Sequence, residues 1–223
     1  MRPEDVVERM KRDWDERARR NPRHYIADCR EDWSEEEFLE SGELTVAQYI
    51  LNDMVNTCQG RDPAQMRVLE IGCGAGRVTR AMARVFGEVH AVDLSGEMVE
   101  LARRAVADLP NVSIYQNNGR DLGVLGALMF DFAFSCCVFH HIPSKALIEE
   151  YIREVGLHLR SGCLFKFEVQ GYLGLRSTES DTWLGAPVSE LEMLQIATRC
   201  GFEPRYRVGA GEERFWLWFF RRA

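Results

Sequence analysis

The sequence predicts an α/β fold in which a mostly parallel, seven-stranded sheet carries helices on both faces. Short apolar runs alternate with helical patterns between residues 67 and 169, which is typical of a parallel sheet with right-handed crossovers. The first of these runs leads straight into a glycine-rich turn. Two further strand-like runs, over about 203–208 and 214–220, flank Gly209-Ala210-Gly211 and favour an antiparallel hairpin at the C-terminal end.

The first part of the chain does not follow this alternation, and we expect it to be helical. Apolar side chains recur there at helical spacing among charges, and Asn21-Pro22 ends the first helix. Ser34 with Glu37 makes a capping box for a short second helix, and the pattern over 44–57 indicates a third. The two expected parts are an N-terminal helical extension, residues 1–60, and a single globular unit, residues 61–223.

The later helices and strands are marked by their ends. Ser95 and Ser144 stand where N-caps are expected, and Ser189 with Glu192 forms a second capping box. Gly162 marks the start of the fifth strand. The pattern predicts helices over 78–86, 95–109, 144–159 and 189–201, and strands over 68–71, 88–92, 112–116, 130–135 and 163–169.

The glycine-rich turn after the first strand is the most informative feature of the sequence. Gly72, Gly74 and Gly76 stand at alternate positions, where glycine reaches backbone angles closed to other residues and leaves the main chain open to a ligand. The second strand ends at Asp93, about twenty residues further on, where a carboxylate can accept hydrogen bonds from both ribose hydroxyls. Together they predict an adenosine-containing cofactor.

The spacing of the glycines separates two classes of cofactor. Dinucleotide-binding proteins carry G-x-G-x-x-G, whereas here the third glycine comes one residue early and Arg77 occupies the place of the last Gly or Ala. Glu70 stands two residues before the first glycine. On these residues the chain, from about Arg67 to its C-terminus, resembles the class I S-adenosylmethionine-dependent methyltransferases, whose first motif reads acid-x-G-x-G-x-G. The resemblance implies a Rossmann-like fold and S-adenosyl-L-methionine as cofactor.

The resemblance also implies roles for individual residues. The three glycines would line the methionine and ribose side of the cofactor, Asp93 would hold the ribose hydroxyls, and Leu94 and Met98 would pack near the adenine. Asn118 stands where the family often has an acid for the adenine amino group, and an amide carbonyl accepts the same bond. Family members often use an N-terminal extension as a cap, while packing on the sheet edge is the equal alternative. The implied cofactor residues are Glu70, Gly72, Cys73, Gly74, Gly76, Asp93, Leu94, Met98, Asn118, Gly119, Ser135 and Cys136.

Methyl transfer from a sulfonium is a direct displacement, so alignment and desolvation supply much of the acceleration without a dedicated base. If a base exists, His140 or His141 is the first candidate, because both follow the carboxyl end of a strand and imidazole titrates near neutral pH. A structural role in the turn before Pro143 is the alternative. Glu168, near the end of the fifth strand, faces either the acceptor or a partner charge, and the long loop 171–183 is a candidate wall of the acceptor site.

Composition narrows the classes of partner. The formal net charge of −7 disfavours nucleic acid as a substrate. No apolar run approaches the roughly twenty residues of a membrane span, and the charged start does not resemble a signal peptide, so we expect a cytoplasmic protein. The seven cysteines are expected to be buried thiols. No metal site is expected, because adjacent Cys136 and Cys137 would point to opposite faces if they lay in a strand.

The resulting hypothesis is a methyltransferase that acts on a small molecule, with oxygen, nitrogen and carbon acceptors and the oligomeric state left open. A planar-nitrogen acceptor is disfavoured, because Ser135-Cys136-Cys137-Val138 replaces the Asn/Asp-Pro-Pro-aromatic turn of enzymes that methylate such groups. A catalytically silent, cofactor-binding regulatory or scaffolding subunit is the alternative. A nicotinamide-dependent oxidoreductase is the third hypothesis, and Glu70, the early third glycine and the C-terminal hairpin argue against it.

Overall fold

A computed structural model describes residues 3–27, 30–175, 177–178 and 181–223. Within these residues no helix is both long and apolar enough to cross a membrane. The helices are α1 (Pro3–Arg20), α2 (Pro22–Ile26), α3 (Glu35–Tyr49), α4 (Met54–Cys58), α5 (Arg77–Met82), α6 (Gly96–Ala105), α7 (Lys145–His158) and α8 (Glu190–Arg199). The strands are β1 (Arg67–Ile71), β2 (Glu88–Asp93), β3 (Val112–Gln116), β4 (Phe130–Ser135), β5 (Leu159–Val169), β6 (Phe202–Val208) and β7 (Phe215–Arg221).

The seven described strands form one sheet in the order β3-β2-β1-β4-β5-β7-β6. β1 pairs with β2, β2 with β3 and β4 with β5 in parallel, whereas β7 pairs antiparallel with both β5 and β6. The predicted fold, a mostly parallel Rossmann-like sheet with an antiparallel C-terminal hairpin, is therefore confirmed. β7 lies between two strands, which explains why its aromatic side chains are buried almost throughout.

The chain divides into two compact units. One comprises residues 11–117 and contains β1 to β3, most of α1, and α2 to α6. The other comprises residues 3–10 and 118–223 and contains β4 to β7 with α7 and α8. The predicted division into an extension over 1–60 and a globular unit over 61–223 stays a prediction, since compactness does not report how the parts function.

The predicted capping boxes and the predicted end of the first helix at Asn21-Pro22 are confirmed. In both predicted capping boxes the serine hydroxyl accepts from the backbone N–H three residues on, and the glutamate accepts from the serine N–H. Asn21-Pro22 ends α1 as predicted and also begins α2, where the Asn21 carboxamide oxygen accepts from the His24 N–H.

Several predicted boundaries are wrong. The helices expected over 78–86 and 95–109 end earlier, at Met82 and Ala105. The helix expected over 44–57 is divided, because α3 runs on to Tyr49 and a 3-10 turn over Leu51–Asp53 separates it from α4. Val55, expected inside, is 85% exposed. The fifth strand begins at Leu159 and not at Gly162, which lies within it at a φ of 79°. Leu159 pairs with Phe130, and the register then shifts before Phe132, so the strand continues past the glycine.

Candidate functional site

The predicted site residues fall in both units. Residues of the glycine turn and the second strand belong to the unit 11–117, and those that follow β3 and β4 belong to the unit with residues 118–223. The first group is Glu70, Gly72, Cys73, Gly74, Gly76, Asp93, Leu94 and Met98, and the second is Asn118, Gly119, Ser135, Cys136, His140 and His141.

The glycine turn adopts a backbone that only glycine accommodates easily. Gly72, Gly74 and Gly76 have φ angles of 75°, 51° and 85°, in the left-handed region. A Cβ on Gly76 would also lie 3.1 Å from the Cα of Ala102 on α6, and one on Gly74 would lie 2.9 Å from the tip of Ile26. The prediction that these three positions require glycine is confirmed.

Asp93 ties the end of β2 to this turn. Its carboxylate accepts a hydrogen bond from the Gly74 N–H and another from the Ser95 N–H, both at 2.9 Å. Burial raises the pKa of Asp93 to about 6, although these backbone donors oppose the shift. One carboxylate oxygen accepts from Gly74 and the other from Ser95.

Asp15 is a residue of this region that the sequence reasoning missed. It lies on α1, is only 8% exposed, and accepts from the Ser95 hydroxyl at 2.6 Å and from the Glu97 N–H at 3.3 Å. Burial raises the pKa of Asp15, but hydrogen bonds from Lys11 and Ser95 outweigh it and leave the pKa below its usual value. α1 carries many charged residues, and the sequence pattern does not indicate which of them is buried.

Glu70 and Arg77 connect the turn to the surrounding helices. Glu70 is buried in β1 and accepts from the Thr79 hydroxyl at 2.5 Å; burial raises the pKa of Glu70 to about 7. Arg77, at the start of α5, donates to the Ser41 carbonyl at 3.0 Å and to the Thr45 hydroxyl at 2.8 Å, both on α3. Both residues of the motif therefore have structural partners.

Side chains from α2 and α3 cover the glycine turn. Ala27, Phe38 and Ala75 form a buried cluster, against which Ile26 and Trp33 pack. The Trp33 indole N–H donates to the Ala27 carbonyl at 2.9 Å. Within the unit 11–117, the helical segment thus packs directly against the residues predicted to hold the cofactor.

The residues predicted near the adenine differ in their surroundings. Leu94 is half-buried, whereas Met98 is 1% exposed and belongs to the core. The Asn118 carboxamide oxygen accepts from the N–H groups of Arg120 and Asp121 at 2.9 and 3.0 Å. This oxygen therefore caps its own loop, and the predicted bond from Asn118 to an adenine amino group stays a prediction.

The loop after β4 brings two neighbouring thiols together. Ser135 is buried at the end of the strand, and the chain then leaves the extended conformation, with a φ of 61° at Cys137. A left-handed non-glycine residue costs roughly 1–2 kcal/mol. The Sγ atoms of Cys136 and Cys137 lie 3.6 Å apart. They do not point to opposite faces, because β4 has ended before them.

The Glu168 carboxylate lies close to these two thiols and is buried. One oxygen, Oε1, accepts from the Cys137 N–H at 2.6 Å. The other, Oε2, accepts no hydrogen bond from the described residues and lies 3.5 Å from the Arg214 Nε. Burial raises the pKa of Glu168, and the charge of Arg214 opposes the shift. The same guanidinium donates to the Cys137 sulfur at 2.6 Å.

His140 and His141 form a linked pair on the 3-10 turn Phe139–His141. Their Nε2 atoms lie 3.0 Å apart, and the His141 Nδ1 lies 2.5 Å from the Trp183 carbonyl. The His140 Nδ1 lies 3.6 Å from the Glu168 Oε1. Burial lowers the pKa of His140 well below its usual value, and the charges of His141 and Arg214 lower it further.

The loop that follows β5 holds this pair in place. Gly185 packs against the backbone of His140 at a φ of 64°, and the Ala186 N–H donates to the Ile142 carbonyl at 2.9 Å. The Asp181 carboxylate accepts from the Trp183 and Leu184 N–H groups and shapes the turn that carries the Trp183 carbonyl. Residues 176, 179 and 180 of the predicted loop 171–183 lie outside the described residues.

The central part of the chain is similar to known sequences. A sequence profile described as a methyltransferase domain matches residues 68–162. The ubiquinone biosynthesis O-methyltransferase of Xanthomonas axonopodis pv. citri is 33% identical over 88 residues, which are 39% of this chain and 37% of that protein. The matched part thus spans little more than a third of this relative's length.

Comparison with solved structures extends the likeness over the whole fold. The N-methyltransferase NodS from Bradyrhizobium japonicum WM9, in complex with S-adenosyl-L-homocysteine, superposes with a TM-score of 0.67 at 14% identity and covers 96% of this chain and 99% of that one. The DhpI–SAH complex gives a TM-score of 0.66 at 18% identity, with 97% of each chain covered. At these identities the likeness shows a shared fold.

Proposed function

We propose that this chain, whose residues 68–162 match a sequence profile described as a methyltransferase domain, is an S-adenosylmethionine-dependent methyltransferase with a small-molecule acceptor. The observation that carries the proposal is the glycine turn, in which three glycines adopt left-handed backbone angles and the Gly74 N–H donates to the Asp93 carboxylate. The family match and the shared fold of two complexes with S-adenosylhomocysteine support it.

The residues of the turn fit an adenosyl ligand. The buried Asp93 carboxylate accepts from the Gly74 and Ser95 N–H groups, and hydroxyl donors of a ligand would further stabilise its charged form. Glycine at positions 72 and 74 places no side chain between a ligand and the main chain. We propose that these residues hold the ribose and methionine parts. When bound, the cofactor supplies a methyl carbon on a sulfonium, which is transferred by direct displacement.

The hydrogen bonds of the histidine pair favour His140 as a general base. A carbonyl can only accept, so the His141 Nδ1 must carry a proton toward Trp183. In the neutral pair the His141 Nε2 then accepts from the His140 Nε2–H. This leaves an unprotonated Nδ1 on His140, 3.6 Å from the Glu168 carboxylate, which would stabilise the imidazolium after proton uptake.

A neutral base with a free nitrogen suits a hydroxyl or phenol acceptor, which must lose a proton as its oxygen is methylated. We therefore propose an oxygen acceptor and a role for His140 Nδ1 in taking its proton. His141 would act as a positioning residue, since its own nitrogens are engaged by Trp183 and His140.

Calorimetric titration with S-adenosylmethionine, S-adenosylhomocysteine and NAD in parallel tests the cofactor. We expect micromolar binding of both adenosyl ligands and none of NAD. Binding of NAD alone would support the oxidoreductase hypothesis and overturn the proposal. Adenosyl binding without turnover on any of a panel of phenols and alcohols would instead favour the catalytically silent subunit.

A further inference from the structure

Cys136, Cys137 and Glu168 bring their Sγ and carboxylate oxygen atoms within 4.8 Å of one another. We propose that these three residues form a binding site for a thiophilic divalent cation, with Zn²⁺ as the reference ion. All three residues belong to the unit with residues 118–223, and the proposal does not depend on the proposed methyltransferase activity.

The distance between the thiols matches what a metal requires. Zinc–sulfur bonds of about 2.3 Å at a tetrahedral angle place two sulfur ligands roughly 3.8 Å apart. The Sγ atoms of Cys136 and Cys137 lie 3.6 Å apart, so a cation could bind both thiolates with little movement of the side chains. The left-handed backbone at Cys137 is what brings neighbouring side chains to this separation.

The Glu168 carboxylate supplies a second, independent observation. Its side chain is buried, and Oε2 accepts no hydrogen bond from the described residues. The Arg214 guanidinium faces this oxygen at 3.5 Å without a hydrogen bond to it, so the cost of burying the oxygen is only partly offset. A metal bound to this oxygen and to both sulfurs would satisfy it.

The surroundings are already suited to positive charge. The Arg214 guanidinium donates to the Cys137 sulfur and lies 3.5 Å from Glu168 Oε2, which indicates that the cluster attracts cations. Its side chain is 44% exposed and can turn toward solvent.

Three protein ligands leave one position of a tetrahedral cation open, which is the arrangement of a catalytic and not of a structural zinc site. Sulfur ligands select zinc and other soft cations over magnesium or calcium. We therefore expect the site to prefer Zn²⁺, and Co²⁺ as its spectroscopic substitute, to Mg²⁺.

Metal binding is measured on the full-length protein after treatment with a chelator and a reductant, with free thiols verified by mass spectrometry. We expect one Zn²⁺ per chain in competition with a chromophoric chelator. With Co²⁺ we expect sulfur-to-metal charge-transfer absorption together with strong visible bands of tetrahedral coordination. Mg²⁺ at the same concentration should not displace either ion.

Variants locate the site. Cys136→Ser, Cys137→Ser and Glu168→Gln should each weaken Zn²⁺ binding at least about tenfold. Cys200→Ser, which changes a buried cysteine whose sulfur contacts the Glu149 carbonyl, is the matched control and should bind like the wild type. Circular dichroism confirms that each variant is folded.

Two results would overturn the proposal. One is the absence of Zn²⁺ binding, or a Co²⁺ spectrum without sulfur-to-metal bands, in the wild-type protein with its thiols verified as reduced. This result needs no variant. The other is unchanged Zn²⁺ affinity in the Cys136→Ser/Cys137→Ser double variant. Titration of the same samples with S-adenosylhomocysteine reports the proposed function separately, so the failure of one proposal is distinguishable from that of the other.

Discussion

The Ser95 hydroxyl donates a 2.6 Å hydrogen bond to the carboxylate of Asp15, eighty positions earlier in the chain. The same hydroxyl accepts from the Met98 N–H and so caps α6, while Asp15 also accepts from the Glu97 N–H. A carboxylate on α1 therefore stabilises the N-terminal end of α6, where backbone donors and the helix dipole favour negative charge.

Asp15→Ala should lower the free energy of unfolding by about 2 kcal/mol at pH 7, because hydrogen bonds to a charged group are lost at a buried position. The effect is measured by urea unfolding. Glu16→Gln, an exposed neighbour on the same helix, is the control and should change stability by less than about 0.5 kcal/mol.

The difference in stability between Asp15→Ala and wild type should become smaller in acid. The pKa of Asp15 lies below its usual value of 3.8, so the carboxylate stabilises the fold above pH 3.8 and this contribution disappears as the pH falls through the folded-state pKa. A difference between Asp15→Ala and wild type that stayed constant down to pH 3 would contradict the assigned role.

Asp93→Ala should weaken S-adenosylhomocysteine binding more than tenfold, because it removes the carboxylate proposed to hold the ribose hydroxyls. It also leaves the Gly74 and Ser95 N–H groups without their acceptor, so we expect a stability loss of about 2 kcal/mol. Calorimetry well below the unfolding temperature measures the affinity of the folded variant.

Ser95→Ala separates these two effects. It removes the cap of α6 and the hydrogen bond to Asp15, at a similar cost in stability. The Ser95 backbone N–H, which donates to the Asp93 carboxylate, is retained. Its affinity for S-adenosylhomocysteine should stay within about threefold of wild type. Equal losses of affinity in both variants would show that Asp93 acts only through stability.

His140→Ala should lower kcat by at least about a hundredfold with little change in cofactor affinity, because it removes the proposed base. His141→Gln should have a smaller effect, near tenfold, since this residue only orients its neighbour. His158→Gln is the control, as its Nδ1 contacts the Leu128 carbonyl within the same unit. Turnover that survives in His140→Ala would exclude the base.

The pH profile gives an independent measure of this role. Because burial holds the pKa of His140 well below its usual value of 6.5, the imidazole is neutral at pH 7. The wild-type kcat should therefore be flat through neutral pH and fall in acid. A limb of the profile centred near pH 6.5 or above would point to a different group.

Much of the fold could be predicted because its signals are local. The capping serines Ser34 and Ser189 act within three residues, and the left-handed angles of Gly72, Gly74 and Gly76 require glycine whatever surrounds them. The register shift that carries β5 past Gly162 depends on its pairing with β4, so the glycine alone was misleading.

The candidate sites were less predictable because they depend on long-range contacts. Asp15 meets Ser95 across eighty residues, and the Trp183 carbonyl reaches His141 across forty-two. Helical spacing identifies α1 but not which of its charged residues turns inward. The left-handed backbone at Cys137 likewise has no signal in the sequence, and the expectation that the two thiols diverge assumed a strand that ends one residue earlier.

Glu70 offers a test of how burial acts on the motif acid itself. Burial raises its pKa from 4.5 to about 7, so the folded protein keeps a proton that the unfolded chain releases. The stabilising contribution of this group is complete below pH 4.5 and is lost as the pH rises to 7.

In Glu70→Gln no proton is released, and the Thr79 hydroxyl retains an acceptor. Between pH 5 and 8 the variant should therefore lose less stability than wild type, by a margin on the order of 3 kcal/mol. Urea unfolding across this range measures the difference, with the exposed Glu40→Gln as control. Parallel stability curves for Glu70→Gln and wild type would mean that Glu70 is charged in the folded protein, and that Arg77, whose charge lowers its pKa, outweighs burial.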